Sequence, residues 1–436
     1  MLTADATPEQ TTLRYCLFPN FRVHYAEWWP VFQRSLSSRL AQTPAMFTPQ
    51  QSTRKEPEIY SLPDHILEDI FSILTFSSDE SRLYAPDVLS RVSSRWRAVA
   101  LNASKLWTFI VVTFPFSANQ IARAKAGLSR SNNRPIDVHI DVRDPDWTWE
   151  SDEDQHPMTP VSMVELLQWL GPSHYRWRSL TVLTDTWTPM HIFLAYSTMF
   201  SSLPNLERLS LNRCNAFAGV PDAPEPVPCD PVELFGGNAH LPQLRHVTLA
   251  GVHINYSCTG FEGLLSLDLR HQQHSVSPTM RQLRQILHAS PELKSLSLVA
   301  LNPPSDESGQ DDGPAVLLPH LKDLTLGWWL VEDAVKLLEA LQFSAVENLT
   351  LEDIAPALLQ NNHIPLDSTP VLETLVKIGN RPCDPSLPPS FPSHLRKLKM
   401  TGVLLDPPAF SRLIPFFMNL EALELRSLQR GVGPRN

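Results

Sequence analysis

LERLSLNR, residues 206–213, is the stretch that decides the fold of this chain. In an extended strand alternate side chains share a face, so Leu209 and Leu211 point one way while Arg208 and Ser210 point the other. Leu206 adds an apolar residue at the entry. The same form, L-x-x-L-x-L, returns as LRHVTLA at 244–250, LLSLDLR at 264–270 and LKSLSLV at 293–299. Further copies begin at Leu321, Val346, Leu395 and Leu420, and degenerate ones at Trp177 and Leu372. Most copies start roughly 20–29 residues apart, the period of a repeat built from one strand and one return segment. The longest interval carries a proline-rich insert, Pro221 to Pro231.

Apolar runs with helical spacing lie between strands, at Met280 to Leu287, Val331 to Leu341 and Phe410 to Phe417. Leu-Pro pairs, at Leu203-Pro204, Leu241-Pro242 and Leu318-Pro319, mark the turn back into a strand. Upstream, Ile136, Val138, Ile140 and Val142 alternate like a half-buried strand, and Met163 to Leu170 reads as a helix. A strand–helix unit cannot bury its apolar edge alone, but stacked units bury these edges in one core. The fold class expected is therefore α/β. Residues 116–436 are predicted to form an irregular leucine-rich-repeat solenoid, a curved parallel sheet with helices on its convex side.

Composition agrees. The 436 residues are 42% hydrophobic and 19% charged, a globular balance rather than a disordered one. Forty prolines against fifteen glycines favour many short elements with stiff turns. The formal charge of −10 does not favour nucleic-acid binding, which relies on clustered Lys and Arg. The five cysteines show no C-x-x-C spacing, which fits a reducing compartment better than a disulfide framework. No apolar run of about 18 residues stands out, so no membrane association is expected. A cytoplasmic or nuclear location follows as the expectation.

Ahead of the repeats the pattern changes. Residues 1–55 have no clear period and read as an arm, with one short helix near Trp28 to Leu40. Over 56–115, Leu62-Pro63 opens a helical stripe of Ile66, Leu67, Ile70, Phe71 and Leu74. The stripe is followed by a polar break from Thr75 to Ser81. A second helical pattern then runs through Val88, Leu89, Val92, Trp96, Val99 and Ala100, followed by Leu106-Trp107. Together these predict a module of about three short helices, with more apolar surface than so few residues can hide among themselves.

This ordered set resembles the F-box family, over about 50 residues. The segment from Leu74 to Val92 is longer than the family pattern and implies an enlarged loop between the first two helices. The resemblance implies a helical module that docks on a Skp-type adaptor and, through it, a cullin-RING ligase. Leu62, Pro63, Ile66, Leu67, Ile70, Phe71, Val92 and Trp96 are the implied adaptor contacts. Leu74, Val99 and Trp107 are assigned to the module's own packing. The repeats would then recognise a protein substrate for ubiquitin transfer, with no catalytic role for the chain itself. The alternative is a leucine-rich-repeat interaction scaffold with no part in ubiquitin transfer.

Strand parity sets the expected substrate-facing residues. Arg208, His246, Asp268, Arg270, Asp323, Lys397 and Lys399 fall on the outward face. Trp328-Trp329 stands directly after a strand, where Trp328 would anchor a partner on a loop rim or, alternatively, both would be buried. Other chemistry is thin. His271-x-x-His274 lacks the further Cys or acidic ligands of a zinc site, and the acidic residues between Asp144 and Asp154 lack the spacing and glycine of a calcium loop. No catalytic residue, metal or cofactor is expected.

Overall fold

The computed structural model describes residues 61–147, 155–214, 230–237, 239–304, 313–355, 367–379, 394–405, 411, 419–426 and 429–430. The predicted arm, most of the Pro221–Pro231 insert, part of the acidic stretch before Asp154 and the Phe410–Phe417 run (Ser411 apart) lie outside the described residues. The chain divides into two compact units, Met1–Ile70 and Phe71–Asn436. The division falls neither at residue 55 nor at 115, because the helices from Phe71 onward belong to the same unit as the sheet.

In the first unit the described residues carry the start of helix α1 (Asp64–Phe76). The Pro63 carbonyl accepts the N–H groups of Ile66 at 3.0 Å and Leu67 at 3.1 Å, closing the first turn. Asp64 sits in that turn, where the helix dipole favours an anion.

The second unit continues with α2 (Asp79–Leu89), α3 (Ser94–Asn102), a 3-10 turn at Ser104–Trp107, α4 (Ala118–Arg130), α5 (Pro160–Leu170), α6 (Trp187–Ser197), α7 (Met280–His288), α8 (Val331–Glu339) and α9 (Thr369–Gly379). The single helix expected through Val88 and Ala100 is in fact two. Ser93 interrupts it, its Oγ accepting the N–H of Trp96 at 3.1 Å as an N-cap. The enlarged loop expected before it is largely helical, because Ser78 caps α2 in the same way through Ser81 N–H.

The strands are β1 (Phe109–Thr113), β2 (Ile136–Asp141), β3 (Trp177–Thr184), β4 (Arg208–Arg213), β5 (His246–Ala250), β6 (Ser266–Arg270), β7 (Ser295–Val299), β8 (Val316–Leu318), β9 (Asp323–Trp328), β10 (Leu341–Phe343), β11 (Asn348–Asp353), β12 (Lys397–Thr401), β13 (Leu404–Leu405), β14 (Ala422–Arg426) and β15 (Gln429–Arg430). Eleven of them form one sheet in chain order, β1-β2-β3-β4-β5-β6-β7-β9-β11-β12-β14. All of its pairings are parallel. The repeat leucines lie in register. Leu180, Leu209, Val247, Leu267, Leu296, Leu324, Leu349 and Leu398 form one row across the sheet. Every member of that row is nearly inaccessible to solvent. One apolar core therefore runs from Ile110 to Val403 beneath the sheet.

The structure departs from the sequence pattern at three places. The degenerate copy at Leu372 is not a strand. Leu372, Leu375 and Ile378 are three apart, a helical spacing, and lie on the buried side of α9. β1 continues directly from the 3-10 turn and was hidden in the FIVVT run assigned to the helical module. Trp328 is not on a rim. It ends β9 at the same level as Ala300 and Asp353, and only 1% of it is exposed.

A left-handed residue closes several strands. Gly251, His271, Ala300 and Gly402 follow β5, β6, β7 and β12, all with φ between 51° and 70°. Each donates its N–H to the next strand in the sheet. At Gly402 the conformation and the space both require glycine, since a Cβ there would lie 2.3 Å from the Asp353 carbonyl oxygen.

Candidate interaction surfaces

The helical residues divide differently from the single stripe read in the sequence. A spacing of 1, 3, 1, 3 describes two neighbouring lines on a helix, and only one of them is buried. Leu67, Phe71 and Thr75, four apart, are all fully buried. Phe71 packs its ring 4.9 Å from that of Trp96, tilted by 55°. Leu67 and Phe71 are thus enclosed by the protein itself and not available as expected. Trp96 is half-buried. In the first unit Pro63 and Ile66 are exposed, and Leu62 and Ile70 half-buried.

Leu74, assigned to internal packing, is 49% exposed, whereas Val99 and Trp107 are buried as expected. Trp107 donates its indole N–H to the Ala100 carbonyl at 2.8 Å. Ile73 is 72% exposed and Val92 51%, and Phe76, Tyr84 and Val88 are exposed as well. Parity of a single stripe could not reveal Ile73. The line Ile66, Ile70, Ile73 (i, i+4, i+7) carried the signal. The second unit therefore presents six large apolar side chains to solvent on α1, α2 and the turn after α2, which is more than scattered surface hydrophobics require.

Charged side chains fasten these helices to the first strands of the same unit. Asp137 on β2 accepts Nε and Nη2 of Arg178 at 2.9 and 2.7 Å, and also Nη2 of Arg82 from α2. Burial acts to raise the Asp137 carboxyl, but the hydrogen bonds and charges of Arg178 and Arg82 outweigh it and hold it below the ordinary value. The Arg82 guanidinium also lies 4.4 Å from the centre of the Phe109 ring. Asp87 of α2 pairs with Arg123 of α4 at 2.9 Å. Composition could not disclose this network, because Arg82 and Asp137 are 55 positions apart.

The sheet offers the second surface. Its outward rows are in register. One reads Asp137, Ser179, Arg208, His246, Ser266, Ser295, Asp323, Asn348 and Lys397 from β2 to β12. The next runs His139, Thr181, Ser210, Thr248, Asp268, Ser297, Thr325, Thr350 and Lys399. Half of these positions are therefore small hydroxyl side chains, most of them in the second row. Of the expected residues, Arg208, Asp323 and Lys397 are exposed and His246, Asp268, Arg270 and Lys399 half-buried, all outward. Burial, then the nearby Arg208 charge, lowers the His246 pKa, so His246 is neutral at pH 7.

Most carboxylates of this face are already engaged. Asp268 takes Arg270 Nε at 2.7 Å, Asp323 takes Asn348 Nδ2 at 2.6 Å, and Glu424 takes Arg426 at 3.2 Å. Asp141 holds Arg143 through both oxygens, at 2.8 and 2.7 Å. Glu352 on β11 makes no side-chain bond among the described residues. Neither do Arg208, Lys397 or Lys399.

Reactive groups elsewhere are muted. The Cys214 thiol is pushed up to about 12 by burial, with the nearby Arg143 opposing the shift, so it is protonated at neutral pH. His271 is buried, and His274 meets the Asn302 carbonyl at 3.2 Å. No group of three or more His, Cys, Asp or Glu among the described residues is placed to hold a metal ion. No described helix is long and apolar enough to cross a membrane. A scan against protein-family models finds no match to this chain, and a search of curated proteins finds none either.

Proposed function

We propose that this chain is the substrate-recognition subunit of a Skp–cullin–F-box type ubiquitin ligase. The helical module would hold the Skp-type adaptor, and the sheet, read as a leucine-rich-repeat solenoid, would select the protein to be modified. The observation that carries this reading is the exposed apolar group on the helices immediately ahead of the sheet: Ile73, Leu74, Phe76, Tyr84, Val88 and Val92. Burying one such side chain against a partner contributes about 1.5–3 kcal/mol, so a few suffice for a specific contact. The resemblance assigns Leu62, Pro63, Ile66 and Ile70 to the same adaptor. The open, hydroxyl-lined strand face suits a protein segment better than a small molecule, which favours a concave pocket.

Affinity purification of the intact chain from cells, with its companions identified, tests the proposal. Recovery of both a Skp-type adaptor and a cullin supports it. Recovery of other proteins with neither adaptor nor cullin would replace it with an interaction scaffold.

A further inference from the structure

The outward face of the sheet belongs to a chain of formal charge −10, yet at its two ends, β4 and β12, it carries cations without acidic partners. Of its described carboxylates, Glu352 is unbonded and Asp323 is held only by the neutral Asn348 amide, whereas Arg208 on β4 and Lys397 and Lys399 on β12 have no acidic partner. Lys397 and Lys399 are two apart on one strand, so both side chains stand on the same face. Beside them on β11 stand the neutral Asn348 and Thr350, with Glu352 diagonal to Lys399 but not bonded to it. On the other side Glu424 opposes Lys399 but is paired with Arg426.

Six strand-to-strand steps separate β4 from β12 in the sheet order. At about 4.8 Å per step that is about 29 Å. An extended polypeptide advances about 3.3 Å per residue, so about nine residues bridge the two cationic positions. The floor between them is built largely of serine and threonine, short enough for a backbone to lie against and able to hydrogen-bond it. Ser297, near the middle, has a buried hydroxyl with no hydrogen-bond partner among the described residues.

We infer that this face takes an extended acidic segment of a partner protein, laid across the strands, with carboxylates at one end on Arg208 and at the other on Lys397 and Lys399. The inference rests on reading the sheet as the recognition surface, and it specifies the chemistry recognised there.

The test uses the full chain and fluorescence anisotropy. The probe is a labelled peptide of about nine residues with two glutamates at each end and a Ser-Gly spacer. Controls carry glutamine in place of glutamate, or a spacer of two residues. Binding of the glutamate peptide is expected, at least about tenfold tighter than the glutamine peptide, and weakening with salt. Lys397→Glu combined with Lys399→Glu, and separately Arg208→Glu, should each weaken it about tenfold. The short spacer should abolish the sensitivity to one of the two ends. No binding of the glutamate peptide, equal binding of the glutamine peptide, or indifference to the charge reversals overturns the inference. So does tighter binding of a single-stranded DNA oligonucleotide of matching length, which would mark a general polyanion surface. Association with a Skp-type adaptor is measured on the same variants. It should be unchanged, and its absence from the wild type would strike the ligase reading while leaving the peptide result standing.

Discussion

Replacing Asp137 with asparagine tests whether the helices and the first strands are held together by charge. The side chain keeps its shape but loses the negative charge shared by Arg178 and Arg82. Breaking a fully buried ion pair costs about 3–5 kcal/mol, and an exposed one about 0.2–1. Here the carboxylate side chain is 9% exposed, but Arg82 is 21% and Arg178 36% exposed, so both guanidinium groups can recover some hydration. The expected loss therefore lies between those limits, about 2 kcal/mol at pH 7. The sign of the pH dependence is fixed as well. The folded-state carboxyl lies below its ordinary value, so its contribution is fully present above the unfolded pKa. It is lost as pH falls through the folded value. The difference between wild type and Asp137→Asn should be constant from pH 6 to 8 and shrink toward zero in strongly acidic solution. Urea denaturation of the intact chain, followed by tryptophan fluorescence at several pH values, measures it. A variant within about 0.5 kcal/mol of wild type at neutral pH, or a difference that does not shrink in acid, refutes the argument.

Leu296→Ala, on the inward row between Leu267 and Leu324, should cost about 2–5 kcal/mol, while its outward neighbour Ser295→Ala should stay within about 0.5 kcal/mol by the same denaturation assay. Equal effects would mean the strand faces are misassigned. His271 is held neutral by burial, then by Arg270, with its pKa lowered to about 4. Stability should therefore fall by about 2 kcal/mol between pH 7 and pH 5 on its account, as the unfolded histidine takes up a proton that the folded one refuses. His271→Asn, which tolerates the φ of 51°, should remove that part of the slope in thermal melts. Ala300→Gly should raise stability by about 1 kcal/mol, against the usual sign, because Ala300 has φ 55°. A lower melting temperature would show that its methyl contacts outweigh the backbone relief.

The repeat strands were legible because a period of two places every leucine of the motif on one side, and the register keeps them there. The helices α7 and α8 were legible from their own apolar spacing. What failed did so for physical reasons. Around Leu372 the leucines fit strand and helix templates for one turn, and only the buried Ile378 separates the two. Trp328 shares the inward parity of Leu324 and Leu326, and only a strand ending ahead of Gly327 would put it on a rim. On α1, adjacent apolar lines were merged, so Ile73 was missed and Leu67 overvalued. The Arg82–Asp137–Arg178 network depends on pairing between distant segments, which no local pattern encodes. Parity did put Arg208, Lys397 and Lys399 on the outward face, but which charges there remain unpaired is a property of the assembled sheet.

The most direct measurement for the account as a whole is titration calorimetry of the purified intact chain with a purified Skp-type adaptor. Wild type should bind, and Ile73→Asp combined with Val92→Asp should weaken binding by about a hundredfold or more, since each change sets a charge in an apolar contact. The melting temperature should be unaltered, because both side chains are exposed. No heat of binding from wild type, or a variant that binds as tightly, contradicts the assignment of these helices to an adaptor and with it the proposed role of the chain.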